Sequence, residues 1–87
     1  MTEQSFSNAI EARELVSELR KKLGRLPYNP DLLLYCDNLG KMVSELSSIE
    51  VEARRTRRSD KYDAFAERLK KSVAYLQHLI LMHQIMS

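Results

Sequence analysis

Seven side chains, Leu32, Tyr35, Leu39, Met42, Leu46, Ile49 and Ala53, recur at alternating spacings of three and four residues without a break. Only a helix brings such a series onto one face, so this stretch is expected to be an amphipathic helix whose apolar seam lies against other helices, as in a coiled coil. The same spacing precedes it in Ala9, Ala12, Val16, Leu19, Leu23 and Leu26, flanked by Ile10 and Leu15. It returns afterwards in Tyr62, Ala66, Leu69, Val73, Leu76 and Ile80. Three amphipathic stretches in 87 residues predict an all-α fold and a single helical domain over 1–87, because each seam needs the others to leave water.

The connections rest on a few residues. In Gly24-Arg25-Leu26-Pro27-Tyr28-Asn29-Pro30, Gly24 suits the left-handed residue that closes a helix and Pro27 cannot continue one. Asn29 is a good N-cap, and Pro30 fits the first helical position, where its missing N–H costs nothing. Tyr28 and Leu33 are spaced to close a hydrophobic staple around that cap, and Asn8 with Glu11 makes a capping-box-like pair at the head of the first helix.

No glycine or proline follows Gly40, so the backbone permits one helix of about 85 Å from Pro30 onward. The phase of the pattern opposes it. Carrying the seam past Ala53 puts Thr56, Asp60, Asp63, Glu67 and Lys70 on the apolar side, whereas a turn near Arg57 to Asp60, capped by Ser59 or Asp60, restores the register. The expected architecture is an antiparallel three-helix bundle, a helical hairpin plus a third C-terminal helix. Its helices run over 8–24, 30–57 and 60–85, after a flexible N-terminus over 1–7. Gly40 inside the second helix reads as a close helix crossing or as a tolerated weakness of about 1 kcal/mol against alanine.

Scarcity narrows the function. One cysteine, Cys36, allows no internal disulfide, and with only His78 and His83 beside it there is no zinc-ligand set; no metal or cofactor is expected. The two histidines point in different directions around a helix. Cys36 lies in the opening turns of the second helix, where a thiol pKa can fall, but no histidine is placed locally as a base, so a structural cysteine is favoured. Glu11, Glu14 and Glu18 precede Arg20, Lys21 and Lys22 along the first helix, the order its dipole prefers. The chain is not expected to be an enzyme.

Fourteen basic residues against twelve acidic ones leave a net charge of +2, too little to demand a polyanionic partner. The charge is segregated, however, with Arg54, Arg55, Arg57, Arg58, Lys61, Arg68, Lys70 and Lys71 outnumbering Asp60, Asp63 and Glu67. Seven of these, all but Lys70, make the candidate contact for an acidic protein or a nucleic-acid backbone. The favoured alternative is a solvated turn whose cations oppose the negative end of a helix dipole, since Tyr62 is the only aromatic nearby and no stacking platform exists.

Ser72 to Ser87 carries no formally charged side chain, and residues 76–86 place apolar groups nearly all round the helix. Because the first helix is the shortest, part of this tail is expected to lie bare in a single chain. Leu76, Leu79, Ile80, Met82, Ile85 and Met86 are the expected surface for a partner protein or for self-association, a dimer being favoured. A tail containing Gln77, His78, His83 and Gln84 falls short of the ~20 apolar residues a bilayer requires, so membrane contact is disfavoured. Met1-Thr2-Glu3-Gln4 is acidic and polar where an export signal needs a basic and then apolar start, and a cytoplasmic location is expected.

Two short resemblances accompany these features. Pro27-Tyr28-Asn29-Pro30-Asp31-Leu32-Leu33 resembles the Pro-x-x-Pro-x-Leu-Leu turn of type III secretion needle subunits, which also joins two helices, but here a whole third helix follows. The hairpin is similar in outline to the small sporulation aspartyl-phosphate phosphatases, whose second helix carries Ser-x-x-Leu-Asp. At that place this chain has Cys36, Asp37, Asn38, Leu39 and Gly40, without the functional aspartate. Neither resemblance carries a residue over. The function expected from the residues is that of a small non-enzymatic helical interaction module, an adaptor, regulator or stoichiometric inhibitor. The alternative is a nucleic-acid-binding accessory protein using the basic 54–71 segment.

Overall fold

Three helices, α1 (Ala9–Gly24), α2 (Pro30–Thr56) and α3 (Asp60–Met86), make up almost all of residues 6–86, which the computed structural model describes. Residues 1–5 and 87 lie outside the described residues, and with them most of the N-terminus expected to be flexible. The described part corrects that expectation. Phe6 is only 4% exposed and belongs to the core. The Ser7 N–H donates to Glu11 Oε1 at 2.7 Å, and the Tyr62 hydroxyl donates to the Ser7 carbonyl at 3.3 Å. An aromatic ring ahead of the cap has a core to enter, so order begins there.

At the head of α1 the Glu11 N–H donates to Asn8 Oδ1 at 2.9 Å, the expected cap, while the Glu11 carboxylate returns to Ser7, one residue earlier than a capping box would have it. The exit from α1 differs from expectation. Gly24 is the last helical residue, Arg25 stays right-handed at φ −92°, and the Arg25 and Leu26 N–H groups donate three residues back to Lys22 and Leu23. A tightened last turn satisfies those carbonyls without a left-handed glycine, and Pro27 then stops the helix. Asn29 caps α2 as expected, its Oδ1 accepting from the Leu32 N–H at 3.2 Å, with Pro30 at the first helical position. The staple does not close. Tyr28 is 81% exposed, and Leu26 packs against the core in its stead.

α2 and α3 separate where the pattern lost phase. The break is made by Arg57, in the left-handed region at φ 59° and ψ 29°, a conformation that costs a non-glycine residue roughly 1–2 kcal/mol. The Ser59 carbonyl then accepts from the Asp63 N–H at 2.7 Å to start α3.

α2 is the middle of the molecule. It packs along both α1 and α3, which touch each other only slightly. The result is a slab of 47 × 25 × 16 Å with a radius of gyration of 13.9 Å, longer than the about 12 Å of a sphere-like chain this size. Buried side chains come from all three helices: Ala12, Val16 and Leu19 of α1, Cys36, Leu39, Val43 and Leu46 of α2, Leu69, Val73, Leu76 and Ile80 of α3. A wholly buried leucine such as Leu46 or Leu69 contributes about 2 kcal/mol.

The buried row of α2 is not the whole predicted seam. Leu32, Leu39 and Leu46 are in it, joined by Cys36 and Val43, but Tyr35, Met42, Ile49 and Ala53 are half-buried. With α1 on one flank and α3 on the other, the core lies one residue round from the seam's centre, and its second row is left along the α2–α3 edge. Gly40 is no close crossing, because a methyl group there would meet nothing within 4 Å.

Candidate partner-binding surface

Position in the slab decides which of the expected surface residues can meet a partner. α1 runs antiparallel to α2 and ends beside the start of α2, so it covers the end of the molecule that carries the C-terminal half of α3. The end left uncovered is the opposite one, from Val51 to Lys61, where nearly every residue is exposed. Part of the C-terminal tail is bare, at Leu81, Met82, Ile85 and Met86, but the reason expected for it is corrected: α1 falls short at the other end.

Leu76 and Ile80 leave the expected surface. Both face inward between the helices and are buried, so neither is available without opening the bundle. Leu79 is half-buried against the core, and Met82, Ile85 and Met86 are exposed, the last two at 69% and 80%. Leu81 is also exposed and was missed, because a helix apolar on every side gives no phase by which to choose. His83 Nε2 lies 3.0 Å from the Pro27 carbonyl oxygen and ties α3 to the first loop, while His78 is exposed on another side. Among the described residues no group of three or more potential metal ligands occurs.

A second apolar surface follows from the half-buried rows. Tyr35, Met42 and Ile49 stand seven apart on α2, and Phe65, Ser72 and Leu79 stand seven apart on α3, all half-buried. Both rows lie on the face of the hairpin turned away from α1. The Tyr35 and Tyr75 rings meet there with centroids 5.7 Å apart and planes tilted by 60°, and the Tyr35 hydroxyl donates to the Ser72 carbonyl at 3.4 Å. Leu34 and Tyr75 flank the rows, exposed. The unbroken seam of α2 was the signal for this face, since one row beyond the core remains when only two helices flank it.

The basic residues are spread over the far end. Arg54 lies 3.8 Å from Glu50 and Arg55 2.6 Å from Glu52, so two of the four arginines between 54 and 58 have counter-ions in the same helix. Arg57 and Arg58 form the turn, Lys61 is exposed at the start of α3, Arg68 sits over the Phe65 ring at 5.8 Å, and Lys71 is exposed. Arg54, Arg57 and Arg58 line a cleft of about 430 Å³ with Ser59, Tyr62 and the residues preceding α1. Glu50 also lines that cleft, and its Oε2 accepts from the Ala9 N–H at 3.4 Å. A carboxylate thus already occupies the positive end of α1, where an anion would otherwise bind. Partial burial, and then the Glu50 charge beside it, push the Tyr62 phenol above its ordinary pKa.

Cys36 is a core side chain, with its thiol 3.9 Å from the Val16 carbonyl oxygen. Burial pushes the thiol up, Arg20 opposing and Asp37 adding to the effect, so the helix start does not produce a reactive thiolate.

No family model, curated protein or solved structure matches the chain. Among the described residues no helix is long and apolar enough to cross a membrane.

Proposed function

We propose that the chain is a small non-enzymatic interaction module of the cytoplasm, an adaptor, regulator or stoichiometric inhibitor that acts by covering a surface of a partner protein and by self-association. The observation that supports this reading is the end of α3, where Leu81, Met82, Ile85 and Met86 are exposed within six residues. Apolar side chains gathered at one end of a small domain are what a partner's surface would cover, and methionine adapts to irregular contacts.

The test uses the exposed positions, whose replacement leaves the core intact. Tagged wild-type protein and an Ile85→Asp, Met86→Asp variant are compared by affinity capture from the native host, with circular dichroism as the control for folding. A protein retained by the wild type and lost by an equally helical variant is the expected result. Identical capture by both overturns the assignment of this surface.

A further inference from the structure

We propose that the α2–α3 face turned away from α1 is a homodimer interface, in which two copies pack about a two-fold axis parallel to the helices so that α2 of each lies against α3 of the other. This deepens the interaction-module reading and rests on it. The face is apolar along its middle, where Tyr35, Met42, Ile49, Phe65, Ser72 and Leu79 stand half-buried in two heptad-spaced rows. Two adjacent helices of 27 residues, each about 40 Å long, offer a face of about 700–800 Å². That matches the ~800 Å² per partner of a standard stable interface.

The charges beside the rows select both the occupant and the axis. On α2 the positions outside the apolar row are Asp31, Asn38, Glu45 and Glu52, again seven apart. On α3 the corresponding positions include Lys61 and Arg68, the latter held on this face over the Phe65 ring. Toward the α2–α3 turn the α2 edge is acidic at Glu45 and Glu52 and the α3 edge basic at Lys61 and Arg68, so this half of the face is complementary to itself. The Tyr35–Tyr75 contact sets the level of the two antiparallel helices. At the same offset Glu45 stands level with Phe65, within one helical turn of Arg68, and Glu52 stands level with Arg58, within one turn of Lys61. An axis parallel to the helices then sets Glu45 of one copy against Arg68 of the other, twice over. An axis across the helices sets the acidic edge of α2 against its own copy, which like charges oppose. Neither Glu45 nor Arg68 makes an ion pair within the chain among the described residues, whereas Glu52 is shared with Arg55. The assembled core would be a four-helix bundle of α2, α3 and their copies, with each α1 on the outside.

Purified full-length protein, examined by sedimentation equilibrium over rising concentration, tests this without any other partner. The expected result is a monomer–dimer equilibrium. Glu45→Arg and Arg68→Glu, both at exposed positions, each weaken the dimer by roughly tenfold or more, and the double exchange restores it to near wild-type strength. A chain that stays monomeric, single variants without effect, or a double variant no better than the singles would each overturn the inference. A dimer broken by Ile85→Asp but indifferent to Glu45→Arg overturns it in favour of association through the α3 end. The interaction-module reading is judged separately, by whether capture of another protein depends on Ile85 and Met86.

Discussion

The Glu50 carboxylate of α2 meets the backbone N–H of Ala9 in the first turn of α1, forty-one residues away in the chain, at 3.4 Å. A side chain from one helix thereby accepts from a donor at the N-terminus of another, and its negative charge faces the positive end of the α1 dipole. Glu50→Ala is expected to lower stability by about 1 kcal/mol in urea denaturation, and Glu50→Gln, which keeps an acceptor, by less. Arg54→Ala is expected to cost little, because its pairing with Glu50 is largely exposed on the arginine side. Equal losses for Glu50→Ala and Arg54→Ala would show that the ion pair, and not the α1 contact, is what matters.

Gly40 offers a gain. It lies inside α2, and a methyl group added there meets open space within 4 Å. Gly40→Ala is expected to stabilise the fold by about 0.5–1 kcal/mol, a rise in Tm of several degrees for a domain this size. A loss of stability would mean that the position is occupied in an assembled state.

Arg57 carries the left-handed turn between α2 and α3 with a side chain that disfavours it. Arg57→Gly is expected to raise stability by about 0.5–1 kcal/mol, and Arg57→Ala to leave it near the wild type. Thermal denaturation of the three proteins side by side decides it; a ranking with alanine above glycine would contradict the left-handed turn.

Cys36 ties stability to pH. Burial raises its folded-state pKa above the ordinary 9.0, so the folded chain holds the thiol proton more tightly than the unfolded one. The contribution is full below that ordinary value and is lost as pH rises through the folded-state value. The stability advantage of the wild type over Cys36→Ala is expected to be constant from about pH 6 to 8 and to shrink above about pH 9. An advantage that grows with pH would reverse the sign. A thiol reagent should also react slowly with the folded chain and at once with the unfolded one.

Much of the fold was legible because helix-forming patterns and caps are local. The three- and four-residue spacings place all three helices to within a residue or so at each end, and Asn8, Asn29 and Pro30 act as the sequence suggests. What could not be read was the placement of helices against one another. Leu76 and Ile80 look like surface candidates in a tail apolar on all sides, yet they also end the seam that begins at Tyr62, and they are buried with the rest of that seam. Phe6 has no periodicity to announce it, since a single ring ahead of a cap belongs to no series. Tyr28 has the spacing of a staple, but spacing says nothing of which way a loop residue turns.

Among the described residues no polar or charged side chain is buried. The interior therefore offers one greasy tooth much like the next, and a helix slipped by one turn would find nearly equivalent sockets. What tells the helices apart is a set of pins driven from side chain to backbone across them: Glu50 to Ala9, Tyr62 to Ser7, Tyr35 to Ser72 and His83 to Pro27. Alignment in this molecule is kept at its edges and corners, much as a sliding rule is kept true by its end stops. Substitutions there would loosen which arrangement is adopted before they loosened how tightly the chain holds together.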